Sequence, residues 1–132
     1  KEKWYRLAAE FENYKKRVAK DRQDQAKMAG ADMLLAILPA LDDLERALKS
    51  GGDSAANEGV QLIYNKLKAS LEAKGLKAMD ALGQPFDVEI HEAIVQAPAP
   101  DESSKGKVLD VITKGYFLHD RVLRYAQVVV AI

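Results

Sequence analysis

The sequence holds 132 residues, 48% hydrophobic and 30% charged, enough apolar material for a domain core beneath a well-solvated surface. Twenty Lys and Arg offset twenty Asp and Glu, so no whole-molecule field draws the chain to nucleic acid or to an anionic membrane. The absence of cysteine excludes disulfides, thiol nucleophiles and Cys-based zinc sites.

No apolar run approaches the roughly 20 residues of a spanning helix and no signal-peptide pattern opens the sequence, so a soluble cytoplasmic protein is expected. The sequence starts at Lys1 in mid-pattern, as a piece of a longer protein does. Its neutral total hides an uneven distribution. Residues 1–30 carry nine basic and five acidic side chains, residues 31–58 two and six, and residues 59–132 nine of each. Three segments are expected: 1–30, 31–75 and 76–132.

Residues 1–29 hold no Gly or Pro and are rich in strong helix formers. Their large apolar side chains recur every seven residues, with Trp4, Phe11 and Val18 at one position and Leu7, Tyr14 and Met28 at the other. Two apolar positions per heptad make the narrow seam of a coiled coil. The seam softens where Asp21 and Gln25 fall in register. A continuous helix here is ~44 Å long at ~1.5 Å per residue and outreaches a domain of this size, which favours pairing with another chain. A lone amphipathic helix lying on the rest of the chain is the alternative. The basic run Lys15-Lys16-Arg17 is flanked by carboxylates and lacks an aromatic platform. It reads as a solvated face, or as a docking site for an acidic protein patch, ahead of nucleic acid.

Residues 32–49 place Leu34, Ile37, Leu38, Leu41, Leu44 and Leu48 on one broad face, with Pro39 inside and a bend expected near Leu35–Pro39. Ser50-Gly51-Gly52-Asp53 ends this helix, and residues 51–58 read as a loop. A second helix is expected from Glu58 to Lys74, capped by Asn57, with Val60, Ile63, Tyr64, Leu67 and Leu71 on one face. Gly75-Leu76 matches a Schellman ending. Two such helices need a further partner, and a dimeric four-helix bundle supplies it. The dimer contacts expected are Trp4, Leu7, Phe11, Tyr14 and Val18 along the seam, and Leu34, Leu41, Leu48, Ile63 and Leu67 in the bundle.

Beyond Gly75 the composition turns to β formers and turn residues. Val108–Thr113 and Val122–Ile132 read as strands, Phe117–Arg121 as a turn. The run Ala126–Ile132 is nearly all apolar, as a strand covered on both faces is. The fold class is therefore α+β: a long paired helix, a helical hairpin and a small β domain.

Catalytic chemistry is sparse. His91 and His119 lack the i, i+4 spacing of a helix-borne metal pair, and no serine lies in a nucleophile elbow. No glycine-rich loop is followed by the Lys and Ser/Thr that cradle phosphate. No cofactor, metal or enzyme activity is expected.

Several ordered motifs resemble the GrpE family, nucleotide exchange factors of DnaK-type chaperones. They are Ala9–Arg17, Leu35–Leu48 with Pro39, Glu58-Gly59-Val60, Phe86-Asp87, His91–Ile94, Gly115-Tyr116, Leu123–Ala126 and Val128–Val130. The resemblance implies a parallel homodimer with paired helices, a four-helix bundle and two β wings. It implies that a wing and the adjoining helix hold a DnaK-type ATPase domain open so that ADP leaves, without binding nucleotide, nucleic acid or membrane themselves. By position it assigns chaperone binding to Lys15, Arg121 and Val130, with Ile112 a weaker candidate, and the organisation of the β domain to Phe86 and His91. It also implies that the paired helices act as a thermosensor. Relative to the family pattern, the 50–58 loop is short, and the acidic tail and most of the long helix are missing. A coiled-coil adaptor whose β domain binds another protein, and an ATP- or phosphate-handling enzyme, are the competing readings.

Overall fold

The computed structural model describes residues 1–51 and 55–132; the Gly52-Asp53-Ser54 part of the expected loop lies outside the described residues. The chain forms two compact units, Lys1–Gly30 and Ala31–Ile132.

The first unit is helix α1, Glu2–Lys27, 26 residues and ~39 Å at ~1.5 Å per residue. Nothing in it breaks the ladder, and Met28 N–H still donates to the Asp24 carbonyl at its end. None of its side chains is buried within the unit. The expected seam is thus open on this chain, with Trp4 78% and Phe11 56% exposed. Lys15 Nζ sits 4.6 Å from the Phe11 ring centroid and the Arg17 guanidinium 5.7 Å from that of Tyr14, so the basic run packs along the aromatic edge.

The second unit opens with α2, Ala31–Ser50, and α3, Ala55–Ala73. Helix α2 continues through Pro39, whose ring faces solvent. Helix α3 starts three residues before the expected Glu58. Ala55 and Ala56 favour helix, which leaves Asn57 inside the first turn and not at the cap. Its side-chain oxygen instead lies against Gly51, 2.8 Å from where a Cβ would stand. Leu38 and Leu41 of α2 are fully buried, each contributing about 1.5–3 kcal/mol of burial. They pack with Tyr64 of α3, Leu76 and Tyr116, and half-buried Leu44, Leu48, Leu67 and Leu71 close the cluster. Leu41, expected at an interchain contact, has no area left for a second chain, because the broad face of α2 is used within its own chain. Ile63, expected on the same face as Tyr64, points outward and is 63% exposed, beside exposed Leu62.

Helix α3 ends as expected. Gly75 adopts φ +104°, the Lys74 and Gly75 N–H groups return to Leu71 and Glu72 carbonyls, and Leu76 folds back into the core.

Six strands follow: β1 Leu76–Ala78, β2 His91–Ala97, β3 Val108–Thr113, β4 Tyr116–Leu118, β5 Arg121–Arg124 and β6 Ala126–Ala131, with a 3₁₀ turn at Glu102–Ser104. They form two three-stranded sheets, ordered β1-β4-β5 and β2-β6-β3. Strand β6 is central, parallel to β2 and antiparallel to β3, which is why its sequence is apolar at every position but Gln127. The expected single strand over Val122–Ile132 is two. The chain leaves one sheet at Arg124 and enters the other at Ala126. Phe117 and Leu118 belong to β4, so the expected turn shrinks to His119-Asp120, both at positive φ in a two-residue hairpin. The sheets meet at Gly115, where a Cβ would stand 2.5 Å from both Ala126 N and Met79 Sδ. Only a residue without a side chain permits that crossing. Met79, Ala81, Val108, Ala126 and Val128 form the second core. The first core spans α2, α3, β1 and β4, so residues 31–75 and 76–132 share apolar packing.

Candidate functional site

The four residues assigned to partner binding lie on three separate supports. Lys15 is exposed on α1. Ile112 on β3 and Val130 on β6 belong to neighbouring strands of one sheet, Ile112 exposed and Val130 half-buried against the second core. Arg121 is exposed at the start of β5 in the other sheet, directly after the His119-Asp120 turn. Ile112 also lines a groove of about 270 Å³ whose opposite wall is Asp42, Glu45, Arg46 and Lys49 of α2.

The turn that presents Arg121 is itself docked. His119 N–H donates to the Gly75 carbonyl at 3.0 Å, and the imidazole lies across Gly75, 2.4 Å from where a Cβ would be. The end of α3 and the β4–β5 turn are therefore one assembly.

Sequence reasoning missed a polar cluster where the helical hairpin meets the β segment. Arg124 Nη1 and Nη2 donate to the two carboxylate oxygens of Asp42 at 2.7 and 2.9 Å, while Nε and Nη2 donate to the Lys114 carbonyl at 3.0 and 2.6 Å. The guanidinium lies 5.4 Å from the Tyr116 ring centroid. Lys114 Nζ donates to Glu45 Oε1 at 2.7 Å, and the Tyr64 hydroxyl donates to the same oxygen. Burial by itself raises the Glu45 pKa. The bonds from Lys114 and Tyr64, with the charges of Lys114 and Lys49, outweigh it and hold the carboxyl below its usual range. Burial, then the bond to Glu45, pushes the Tyr64 phenol up. Burial and the charges of Glu45 and Asp42 push Tyr116 up to about 12 against the opposing pull of Arg124. The sequence signals for this cluster were the motifs Leu35–Leu48, Gly115-Tyr116 and Leu123–Ala126, which hold Asp42, Glu45, Tyr116 and Arg124 without their connection and leave out Lys114 and Tyr64.

His91 is buried, and its Nδ1 accepts the Asp87 backbone N–H at 3.1 Å while its ring lies 5.9 Å from that of Phe86. That fits the organising role the resemblance implies for Phe86 and His91. Among the described residues no three His, Cys, Asp or Glu side chains gather as metal ligands, and no helix is long and apolar enough to cross a membrane. On residues 31–132 the exposed Arg121 and Ile112 offer charge and apolar contact on strands backed by the two cores.

Comparison with known proteins gives a family match to GrpE over residues 1–132. Protein GrpE of Bacteroides thetaiotaomicron is 45% identical over 134 residues, covering 98% of this chain and 69% of its own length. Protein GrpE of Parabacteroides distasonis is 46% identical over 129 residues, 95% of this chain and 66% of its own. Protein GrpE of Staphylococcus epidermidis is 43% identical over 131 residues, 96% of this chain and 62% of its own.

Proposed function

The chain belongs to the GrpE family, and from that membership we propose that it is a non-catalytic co-chaperone that binds the ATPase domain of a DnaK-type chaperone and opens it, accelerating ADP release. The observation that carries the reading is the family match along the whole sequence. The exposed Arg121 and Ile112 on a well-packed β segment support it, because a surface that holds a partner open must resist deformation itself.

The physical mechanism is population shift. A factor that prefers the open, nucleotide-poor chaperone lowers ADP affinity by its differential binding energy, and the coupling is reciprocal. Each tenfold gain in release rate asks for ~1.4 kcal/mol of that preference, realised on the way to opening. No bond is made or broken, and the factor binds no nucleotide. Lys15, Arg121, Val130 and Ile112 are the proposed contacts. Arg121 offers a planar fork to a carboxylate or carbonyl on the chaperone.

The active form we propose is a homodimer in the cytoplasm. The open stripe of Trp4, Leu7, Phe11 and Tyr14 is large enough to call for a covering surface, and its heptad spacing suits a second copy of α1. Stopped-flow release of fluorescent ADP from a DnaK-type chaperone tests the exchange reading. Release should accelerate with added chain and saturate; a rate independent of the chain refutes it.

A further inference from the structure

We propose that Arg124 and Asp42 are positioning residues, whose fork sets the angle at which the β segment stands on the helical hairpin and hence how Arg121, Ile112 and Val130 meet the chaperone. The proposal rests on the exchange reading given above.

The junction carries two kinds of contact. The apolar cluster of Leu38, Leu41, Tyr64, Leu76 and Tyr116 provides burial, which is non-directional and tolerates sliding of one surface over another. The polar contacts do not. Four donor contacts from one guanidinium join α2, the residue at Lys114 and β5, and each depends on the guanidinium plane. Lys114 reaches back to Glu45, three residues beyond Asp42 on the same helix, so two carboxylates about one turn apart receive cations from two places in the β segment. The Arg124 and Asp42 side chains are only 20% and 21% exposed, which protects the fork from screening by salt.

Chain order makes the fork relevant to binding. Arg124 lies on the same four-residue strand as Arg121, and Lys114 is two residues beyond Ile112. A tilt of the β segment therefore moves Arg121 and Ile112 together. A lysine at 124 keeps the charge but cannot span both oxygens of Asp42 and the Lys114 carbonyl in one plane.

The experiment compares the parent with Arg124→Lys, Asp42→Asn and the double variant. Their fold is checked by far-UV circular dichroism. If the competent angle falls to about one-tenth of the population, the apparent Kd for the chaperone rises about tenfold. The release rate at saturation should stay within about twofold of the parent, because the docked complex is the same. The double variant should be no weaker than the weaker single variant, since both remove one fork. Because the chain has no cysteine, Asn65→Cys with Glu102→Cys takes a spin-label pair, diluted into excess unlabelled chain. Its distance distribution should broaden in each fork variant. An unchanged distribution overturns the orientation role, and a broadened one with unchanged Kd overturns its importance for binding. A parent chain that does not accelerate ADP release refutes the exchange reading instead, and the label distances still decide the orientation role.

Discussion

Gly75→Ala puts a methyl group where the backbone and a neighbouring ring both oppose it. At φ +104° an L-residue is outside its comfortable left-handed region, a penalty of about 1–2 kcal/mol. The new Cβ would also lie 2.4 Å from the His119 ring, whose backbone is tied to the Gly75 carbonyl, so the imidazole must swing away and lose its packing. Overpacking of this kind adds about 1–2 kcal/mol, for a total of roughly 3 kcal/mol. Removing the ring separates the two contributions. In a His119→Ala background the same Gly75→Ala change should cost only the backbone part, about 1.5 kcal/mol. Urea denaturation of the four chains at one fixed protomer concentration measures the cycle, since the proposed dimerisation would make stability concentration-dependent. Equal costs of Gly75→Ala in both backgrounds refute the ring-on-glycine account. Chaperone affinity should fall with the single change as well, because Arg121 stands two residues after His119.

Arg121→Glu should weaken chaperone binding about tenfold or more by reversing a charge at the proposed contact, with circular dichroism unchanged; parental affinity removes Arg121 from the surface. The depressed Glu45 pKa gives a signed pH dependence. Its stabilisation is complete above the unfolded carboxylate value of about 4.3 and is lost as pH falls through the lower folded value. Glu45→Gln should therefore flatten the acid limb of stability against pH below about 4.3, and an unaltered limb in urea titrations contradicts the assignment. Replacing the soft heptad residues, Asp21→Leu with Gln25→Ile, should raise the first helix-loss transition at 222 nm by several degrees, on the order of 1–2 kcal/mol of added seam burial. Exchange should then persist at higher temperature, while unfolding of residues 31–132 hardly moves. An unshifted first transition means that no partner packs at those two positions.

The three helices were legible because their patterns are local: the heptads of α1, the broad leucine face of α2, and Gly75 with Leu76 at the end of α3. Strand β3 was legible to the residue, since Val108–Thr113 is β-rich and bounded by turn formers. Strand β2 was not. Five of its seven residues are exposed, so no two-residue alternation marks it. The break at Tyr125 was hidden because Val122–Leu123 and Val128–Val130 are equally apolar, and a change of sheet leaves no compositional trace. The candidate surface shows the same limit. Family likeness pointed to Arg121 and Ile112, but the fork that supports them joins residues 82 positions apart, a separation no local pattern spans. Leu41 illustrates the converse: periodicity identified an inward face correctly and could not say whether the cover was its own chain or another.

The position of β6 has a consequence for biosynthesis. His91 pairs with Ala126 across 35 positions and Val108 pairs with Val130, so the central strand is synthesised after both neighbours it must join. Until residues 126–131 leave the ribosome, β2 and β3 have no common partner, and Val108 and Val111 lack the Ala126 and Val128 that complete their core. The β4–β5 hairpin and the α2–α3 pair can form earlier, being local. A nascent chain that pauses before Ala126 therefore holds a structured helical half beside two unpaired strand edges, the state in which strands pair with the wrong chain. A protein proposed to serve a chaperone would at that moment be a chaperone substrate itself.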